Sequence, residues 1–243
     1  MAPRSKPVWR AAVTALLLAF AGAAGAASLQ VATTSVTVPS ERNAAGLTLM
    51  NNGSEPLTAQ VRVFRWTQVE GEDVLEPTTD LAVSPPMLEL APGGSQLVRV
   101  IRLGAPPEGV ETSYRVIVDE LPLDAGEEHA GLRFVLRYSV PVFIAPAKGR
   151  NTAPVLHTRV VSVDGNRWLE LENLGNGRAQ VADLAWAAPD GERVTIAGGL
   201  SGYVLPGQRR RWRLPERLSM PVGGSFQARI NGEASERTLA LDP

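Results

Sequence analysis

The chain has 243 residues, of which 44% are apolar and 20% charged, and its 24 basic side chains nearly balance its 25 acidic ones. That length allows one large domain or two small ones, and the small net charge argues against a general nucleic-acid binder. Because the chain has no cysteine and only two histidines, it cannot form a thiolate zinc site, a disulfide framework or a cysteine nucleophile.

The first 27 residues have the pattern of a secretory signal peptide. Arg4, Lys6 and Arg10 precede an apolar stretch of small residues, which ends in an A-x-A cleavage pattern at Ala26. This stretch is short for a membrane span, and no later segment approaches about 20 uninterrupted apolar residues. We therefore expect a soluble protein, exported to a bacterial periplasm, that does not insert into a membrane.

From Ser28 onward, the apolar residues follow a period of two rather than 3.6. Examples are LQVATTSVTV, LTAQVRVFRW and SYRVIVDEL, which have the alternation and composition of β-strands. Breakers such as NNGSEP and APGG separate them at the spacing of an antiparallel sandwich, and no stretch has the pattern of a sustained amphipathic helix. The sequence therefore predicts an all-β fold.

The second half of the chain repeats the layout of the first. LTLMNNGSEPLTAQVRVFRW is echoed by LELENLGNGRAQVADLAW, and in both cases a turn with Pro-Gly follows. This repeat predicts two immunoglobulin-like β-sandwich domains, residues 28–147 and 148–243, at an angle across a short hinge that leaves a cleft. Trp66 and Trp186 fall at equivalent places in the two rounds, and we expect them to fill the two cores.

Catalytic constellations are absent from the sequence. The fragment PGGSQ lacks the second glycine of a Gly-x-Ser-x-Gly elbow, and no glycine-rich phosphate loop leads into a helix. Glu127, Glu128 and His129 crowd one turn, but a solvated hairpin loop explains them better than a metal site because only one histidine is local. We expect no enzymatic activity and no cofactor.

One run of residues points to a family. SPPMLELAPGGSQLVRV, residues 84–100, together with YRVIVDELP and RYSVPVFIAP, closely resembles the periplasmic pilus-assembly chaperones of chaperone–usher systems. The resemblance covers residues 28–146 well and the second domain loosely. It implies a two-domain sandwich protein of fimbrium biogenesis that holds an exported pilin subunit until an outer-membrane usher accepts it, without ATP or a cofactor.

The resemblance also implies how the subunit is held. A pilin is an immunoglobulin-like domain without its last strand, so it exposes a groove and unpaired edges that another protein must cover. In residues 131–143, Leu132, Phe134 and Leu136 lie on one face, with arginines interleaved on the other. We predict that this segment is the donor strand. The alternative is that these side chains face their own domain's core, since alternation looks the same in both cases.

The expected carboxylate anchor departs from the family pattern. In the best-known branch, an arginine on the first strand and a lysine on the last strand of domain one grip the pilin's C-terminal carboxylate, but Ser35 and Pro141 stand at these positions. The chain therefore resembles a divergent branch, of the archaic or alternative type. Arg99, Arg115 and Arg137 are the candidate anchors, because a guanidinium can bind a carboxylate through two hydrogen bonds; an ordinary surface arginine is the alternative for each.

Two further expectations concern the last strand. Pro141 lacks an N–H group, so we expect strand pairing to be interrupted or bulged there. Besides a pilin-like subunit, a second copy of the chain could pair with an open donor edge. The rival to the chaperone function is a structural or adhesive subunit of a surface appendage, but such a subunit would usually be a single incomplete sandwich, whereas this chain offers two apparently complete ones.

Overall fold

The computed structural model describes residues 29–122, 135–147 and 151–242. Throughout these residues the regular structure is β-strand, and they contain no helix, which confirms the all-β prediction. The signal peptide predicted for residues 1–27 lies outside the described residues, as do Leu132, Phe134 and the turn that carries His129.

The strands of the first domain form two sheets. They are β1 (Leu29–Val31), β2 (Val36–Val38), β3 (Ala44–Asn51), β4 (Leu57–Val69), β5 (Glu72–Pro77), β6 (Leu81–Ser84), β7 (Met87–Leu90), β8 (Ser95–Arg102), β9 (Thr112–Leu121) and β10 (Arg137–Ile144). One sheet has the order β1-β3-β8-β6. The larger sheet has the order β2-β10-β9-β4-β5, and β7 also pairs with β4.

The second domain has the same two-sheet plan. Its strands are β11 (Leu156–Val163), β12 (Asn166–Asn173), β13 (Ala179–Ala187), β14 (Arg193–Val204), β15 (Arg209–Arg213), β16 (Ser225–Ile230) and β17 (Arg237–Leu239). The sheet orders are β11-β12-β15 and β14-β13-β16-β17. The domain boundary that we propose, between residues 147 and 148, falls between the end of β10 and the start of β11.

Alternation along the strands explains where the two cores lie. In β4, Leu57, Ala59 and Val61 are buried in the first core, and the polar residues between them point away from it. A second and separate set of apolar side chains, which includes Leu169, Leu171 and Phe226, forms the core of the other sandwich. Each sandwich therefore has its own interior, as the internal repeat predicts.

A buried asparagine occurs at the same place in both domains. Asn51 donates from its side chain to the carbonyl of Leu90 at 3.0 Å, and Asn173 donates to the carbonyl of Val204 at 3.1 Å. Each of the two side-chain oxygens also accepts an N–H from the residue two positions later, at 2.9 Å. The matching networks show that the Asn-Gly repeat seen in the sequence corresponds to the same local structure in each domain.

Trp66 does not lie in the core of the first domain, contrary to our expectation. Trp186 lies in the second core, but Trp66 lies in a third cluster with Phe143, Tyr203 and Leu205, where the outer face of the larger first-domain sheet meets the second domain. We call this the junction cluster. The difference has a backbone cause: β13 shifts register between Val181 and Ala185, at a bulge that turns the next residues to the opposite face. The pairing of β4 with β9 shows no such shift, so Trp66 keeps the outward direction.

Candidate functional site

One flank of β10 is open along part of its length. β10 pairs with β9 from Arg137 to Ile144, whereas on its other side β2 covers only Val142–Ile144. Among the strands that the structure describes, none lies against the outer flank of residues 137–141. We call this segment the open edge.

The hydrogen-bonding pattern shows which residues of β10 point their backbone N–H and C=O groups toward that flank. The N–H of Glu120 donates to the carbonyl of Leu136 at 2.9 Å, so these two residues form a hydrogen-bonded pair of the ladder between β9 and β10. Pairs of this kind alternate with non-hydrogen-bonded ones in antiparallel sheets. Arg137, Ser139 and Pro141 therefore turn their backbone groups away from β9, toward the open flank.

Pro141 does not interrupt the strand, contrary to our expectation. It is paired with Arg115 in a register that runs through β10 without a shift. The reason is its position in a non-hydrogen-bonded pair, where the missing N–H would have pointed outward and not at β9. Ala145, four residues later, has the same orientation along the strand as Pro141. Its N–H points to the outer side and donates to the carbonyl oxygen of Val38 at 3.0 Å.

The structure places one of the three predicted donor side chains. Leu136 is half-buried and packs against the core of the first domain. It also lines a cavity of about 430 Å³ beside the start of β10, together with Gln60, Arg62 and Val135. The side chain of Leu136 is therefore shared between the domain's own core and this surface depression.

The three candidate anchor arginines do not lie together. Arg99 is exposed on β8, and because its neighbours Val98 and Val100 face the core, Arg99 points outward from the smaller sheet. Arg115 and Arg137 lie on the outer face of the larger sheet, on the opposite side of the sandwich. One ligand group cannot contact Arg99 and Arg115 at the same time.

Arg137 already has a carboxylate partner. Its guanidinium forms an ion pair with Asp119, whose other oxygen is 2.6 Å from Arg62. Burial raises the pKa of Asp119, but the hydrogen bonds from Arg62 and Arg137 outweigh that effect and hold the pKa below its ordinary value. Asp119 therefore stays ionised at neutral pH and fastens the start of β10 to β4.

Arg115 differs from Arg137 in that its guanidinium contacts an aromatic ring and not a carboxylate. Its guanidinium carbon lies 3.7 Å from the centroid of the Trp66 ring, and its Nη1 is 3.4 Å from the carbonyl oxygen of Ser139. Among the described carboxylates, none forms an ion pair with it; Asp73 acts on it at longer range but is itself paired with Arg210 at 2.7 Å. Burial lowers the pKa of Arg115, as expected for a guanidinium that is partly removed from water without a neutralising partner.

The two positions expected to carry the anchor do meet in the structure. The parallel register aligns Val36 with Val142, so Ser35 comes next to Pro141 where β2 joins the sheet. Arg115 stands opposite Pro141 on the other neighbouring strand. A guanidinium is thus present at this place, although it comes from β9.

The junction cluster also contains unused hydrogen-bonding capacity. The indole nitrogen of Trp66 and the hydroxyl of Ser113 are buried, and neither has a hydrogen-bond partner within the described chain. Buried polar groups are normally paired. Trp66, in the junction cluster, and Ser113, beside it on β9, are exceptions to this rule.

Polar contacts across the junction were not predicted from the sequence. The side chain of Gln68 donates to the carbonyl of Tyr203 at 2.8 Å and accepts the N–H of Leu205 at 3.0 Å. Arg178 pairs with Glu111 and lies 3.7 Å from the ring centroid of Phe143. These partners are far apart in sequence, and the only available signal was the outward parity of Gln68 in β4, which does not identify a partner.

The opposite margin of the larger sheet is protected. It is formed by β5, which carries Glu72, Asp73 and Glu76 and ends at Pro77, and by the four-residue β7. Charged side chains, proline and short strands all discourage pairing with another sheet. In this sheet the open edge of β10 therefore remains the accessible side for a further strand.

The described part of the chain lacks two features that are typical of other protein classes. It has no group of His, Cys, Asp and Glu side chains arranged to hold a metal ion; His157 pairs with Asp242 at 3.2 Å. It has no helix with the length and apolar character needed to cross a membrane.

Comparison with known proteins relates this chain to a described protein family. Residues 28–150 match the family described as pili and flagellar-assembly chaperone, PapD N-terminal domain. No curated protein sequence matches the chain significantly.

Several solved structures share the fold. A chain of the CsuC–CsuE chaperone–tip adhesion subunit pre-assembly complex, from archaic chaperone–usher Csu pili of Acinetobacter baumannii, is 22% identical with a TM-score of 0.70, over 87% of this chain and 97% of that one. The CupB2 chaperone of Pseudomonas aeruginosa is 18% identical with a TM-score of 0.62, over 88% and 100%. A chain of the SafA pilin–SafB chaperone complex of Salmonella enterica is 19% identical with a TM-score of 0.61, over 88% and 96%. These likenesses confirm the fold of two immunoglobulin-like sandwiches.

Proposed function

The chain belongs to the family of pili and flagellar-assembly chaperones, and from this premise we propose that it is a periplasmic chaperone that binds pilin-like subunits by donor-strand complementation. It would keep each subunit soluble and deliver it to an outer-membrane usher. This role needs neither catalysis nor a cofactor.

The observation that carries the proposal is the open edge of β10. A subunit that lacks a strand can place the edge of its own incomplete sheet beside residues 137–141, where Arg137 and Ser139 offer backbone donors and acceptors. The other margin of the same sheet is protected by acidic residues and proline. The chain thus favours pairing on one side of the larger sheet.

The side chains of the donor segment would supply the apolar part of the contact. We propose that Leu132, Phe134 and Leu136 fill the groove of the subunit. At about 25 cal/mol per Å² of apolar surface, three such side chains could contribute several kcal/mol before ordering costs are subtracted. The position of Leu136 at the rim of a surface depression supports a contact shared with a partner.

Arg115 is the anchor that we favour among the three arginines. It lies opposite Pro141, where the expected anchor positions meet, and it has no ion-pair partner in the described chain. Arg137 is paired with Asp119, and Arg99 lies on the other surface of the sandwich. We propose that the guanidinium of Arg115 binds the C-terminal carboxylate of the subunit.

The relatives support the choice of partner. Two of the three solved structures named above are complexes, one of a chaperone with a tip adhesion subunit and one of a chaperone with a pilin. Those partners belong to those proteins. For this chain they favour a secreted subunit of the same structural class over an unrelated client.

Co-expression with a pilin from the same gene cluster tests the function. The mature chain should be recovered in a soluble complex with the pilin, and Phe134→Asp should abolish that complex while the circular dichroism of the chaperone stays unchanged. Val222→Asp is the matched control, because Val222 is an apolar residue of the second domain whose side chain is fully exposed. If Phe134→Asp unfolds the isolated protein, Phe134 belongs to its own core. If the chain is found in the purified appendage, the structural-subunit alternative replaces the chaperone function.

A further inference from the structure

Pro141 lies at a boundary on the flank of β10. On one side of it are the backbone groups of Arg137 and Ser139, which no described strand pairs with on this flank, and on the other side β2 occupies the flank from Val142 to Ile144. Pro141 faces the same flank but has no N–H to donate. The series of backbone donors available to a partner strand therefore stops at Ser139.

A bound strand needs such a boundary because side-chain alternation leaves its register ambiguous. A slip of one residue reverses the faces of a strand and is strongly disfavoured, but a slip of two residues returns every side chain to the same face. Alternating apolar residues on both strands are compatible with several registers that differ by two residues. Some other feature must select one of them.

The missing donor and the adjacent strand together select the register. A strand that slid two residues toward Ile144 would place a carbonyl against the ring of Pro141, where no hydrogen bond is available, and would then meet β2. A strand that slid the other way would give up its hydrogen bonds at Ser139. Leaving a buried backbone group unpaired is unfavourable, so one position along the edge is preferred.

We propose that Pro141 sets the register of the bound subunit strand by ending the docking edge. The last residue of that strand then lies beside Ser139 and Pro141, and its carboxylate comes within reach of Arg115 on the far side of β10. The partner is an extended strand that ends in a free carboxylate, running in the same direction as β10. This inference rests on the proposed donor-strand function, and it assigns to Pro141 a positioning role at the place where the family pattern has a basic residue.

Disulfide mapping of the complex tests the register. The chain contains no cysteine, so Ser139→Cys provides a single thiol on the open edge, and single cysteines are placed in turn along the last strand of the pilin. With Pro141 present, one pilin position should form most of the disulfide. In Pro141→Ala, which restores an N–H, we expect bonds to appear also at positions two residues away, with the yield of complex changed by less than about twofold. Pro77→Ala, on the protected margin of the same sheet, should keep the single position.

The outcomes separate this inference from the function on which it rests. If Pro141→Ala keeps the single position, the register is set elsewhere and the inference is overturned, although the donor-strand function stands. If no pilin position crosslinks and no complex is recovered with Pro141 present, the function itself fails. A second measurement does not depend on the folding of a chaperone variant. Adding two residues to the C-terminus of the pilin should lower recovery of the complex at least about tenfold. Undiminished recovery would contradict the proposal that the docking edge has a fixed end.

Discussion

The guanidinium of Arg115 is stacked over the ring of Trp66, with 3.7 Å between the guanidinium carbon and the ring centroid. The ring faces the second domain, so this contact places a cation at the junction and restricts its side-chain freedom. A cation held on an aromatic face keeps its charge and its hydrogen-bond donors, and binding an anion there requires little further ordering.

The first prediction concerns this cation. Arg115→Gln should reduce the affinity for a pilin at least about tenfold, because a hydrogen bond to a charged group contributes about 1.5–3 kcal/mol. Isothermal titration with a pilin stabilised in solution measures the change. Arg99→Gln is the matched control on the opposite surface and should leave the affinity unchanged; an equal loss in both variants would show that the effect is general surface charge.

The second prediction concerns the junction. Gln68→Leu keeps the size of the side chain but leaves the carbonyl of Tyr203 and the N–H of Leu205 without their partner. We expect the free energy of unfolding to fall by about 1–3 kcal/mol, and small-angle scattering to show a broader distribution of interdomain distances. Gln96→Leu, at an exposed position of β8, should change neither quantity. A scattering profile identical to that of the parent protein would mean that the apolar contacts alone hold the domains in place.

The third prediction is a pH dependence. In the folded protein the pKa of Asp119 lies below its ordinary value. The ion pairs of Asp119 therefore stabilise the fold fully when the pH is above that ordinary pKa. This stabilisation is lost as the pH falls below the ordinary pKa and through the lower pKa of the folded state. Asp119→Asn should cost about 1–2 kcal/mol at pH 7, and the difference from the parent protein should shrink as the pH falls below the ordinary pKa of an aspartate. Urea unfolding across this range measures it, with Asp164→Asn as an exposed control. A difference that does not change with pH would exclude the charge as its cause.

The fourth prediction concerns the protected margin. Glu72 and Glu76 are exposed on β5, and replacing both with threonine should make that margin competent to pair. We expect higher-order oligomers in size-exclusion chromatography with light scattering, whereas Glu216→Thr, in an exposed turn of the other domain, should not change the elution. A monodisperse double variant would show that the twist of β5 or Pro77 is sufficient protection.

The sequence predicted the layers of the fold more successfully than the contacts between them. Alternation identified β4, β9 and β10 as strands, and the repeated Asn-Gly turns indicated the two sandwiches, because these features depend on neighbours in sequence. The position of Trp66 was predicted wrongly because the bulge in β13 changes which face the following side chains point to, and it does so in the second domain only. The repeated sequence contains no local signal of this bulge.

The contacts of the candidate site could be read only in part from the sequence, for a similar reason. Residue types and the resemblance singled out β10 and its nearby arginines, but they could not show which arginine of the larger sheet lacked an ion-pair partner. That difference depends on Asp119 reaching Arg137 across the sheet and on Trp66 lying beneath Arg115. The effect of Pro141 on pairing was misjudged because alternation does not reveal which flank a missing N–H faces.

The unequal margins of the larger sheet also limit how many molecules can join. A ribbon that accepts neighbours on both sides can lengthen indefinitely into a fibre, whereas this one can be extended beyond β10 but not beyond β5. Under the proposed function, each molecule would therefore bind one subunit through this sheet. If two copies met through their open edges instead, each would cover the accessible edge of the other's larger sheet, and growth through the described part of this sheet would end at a pair.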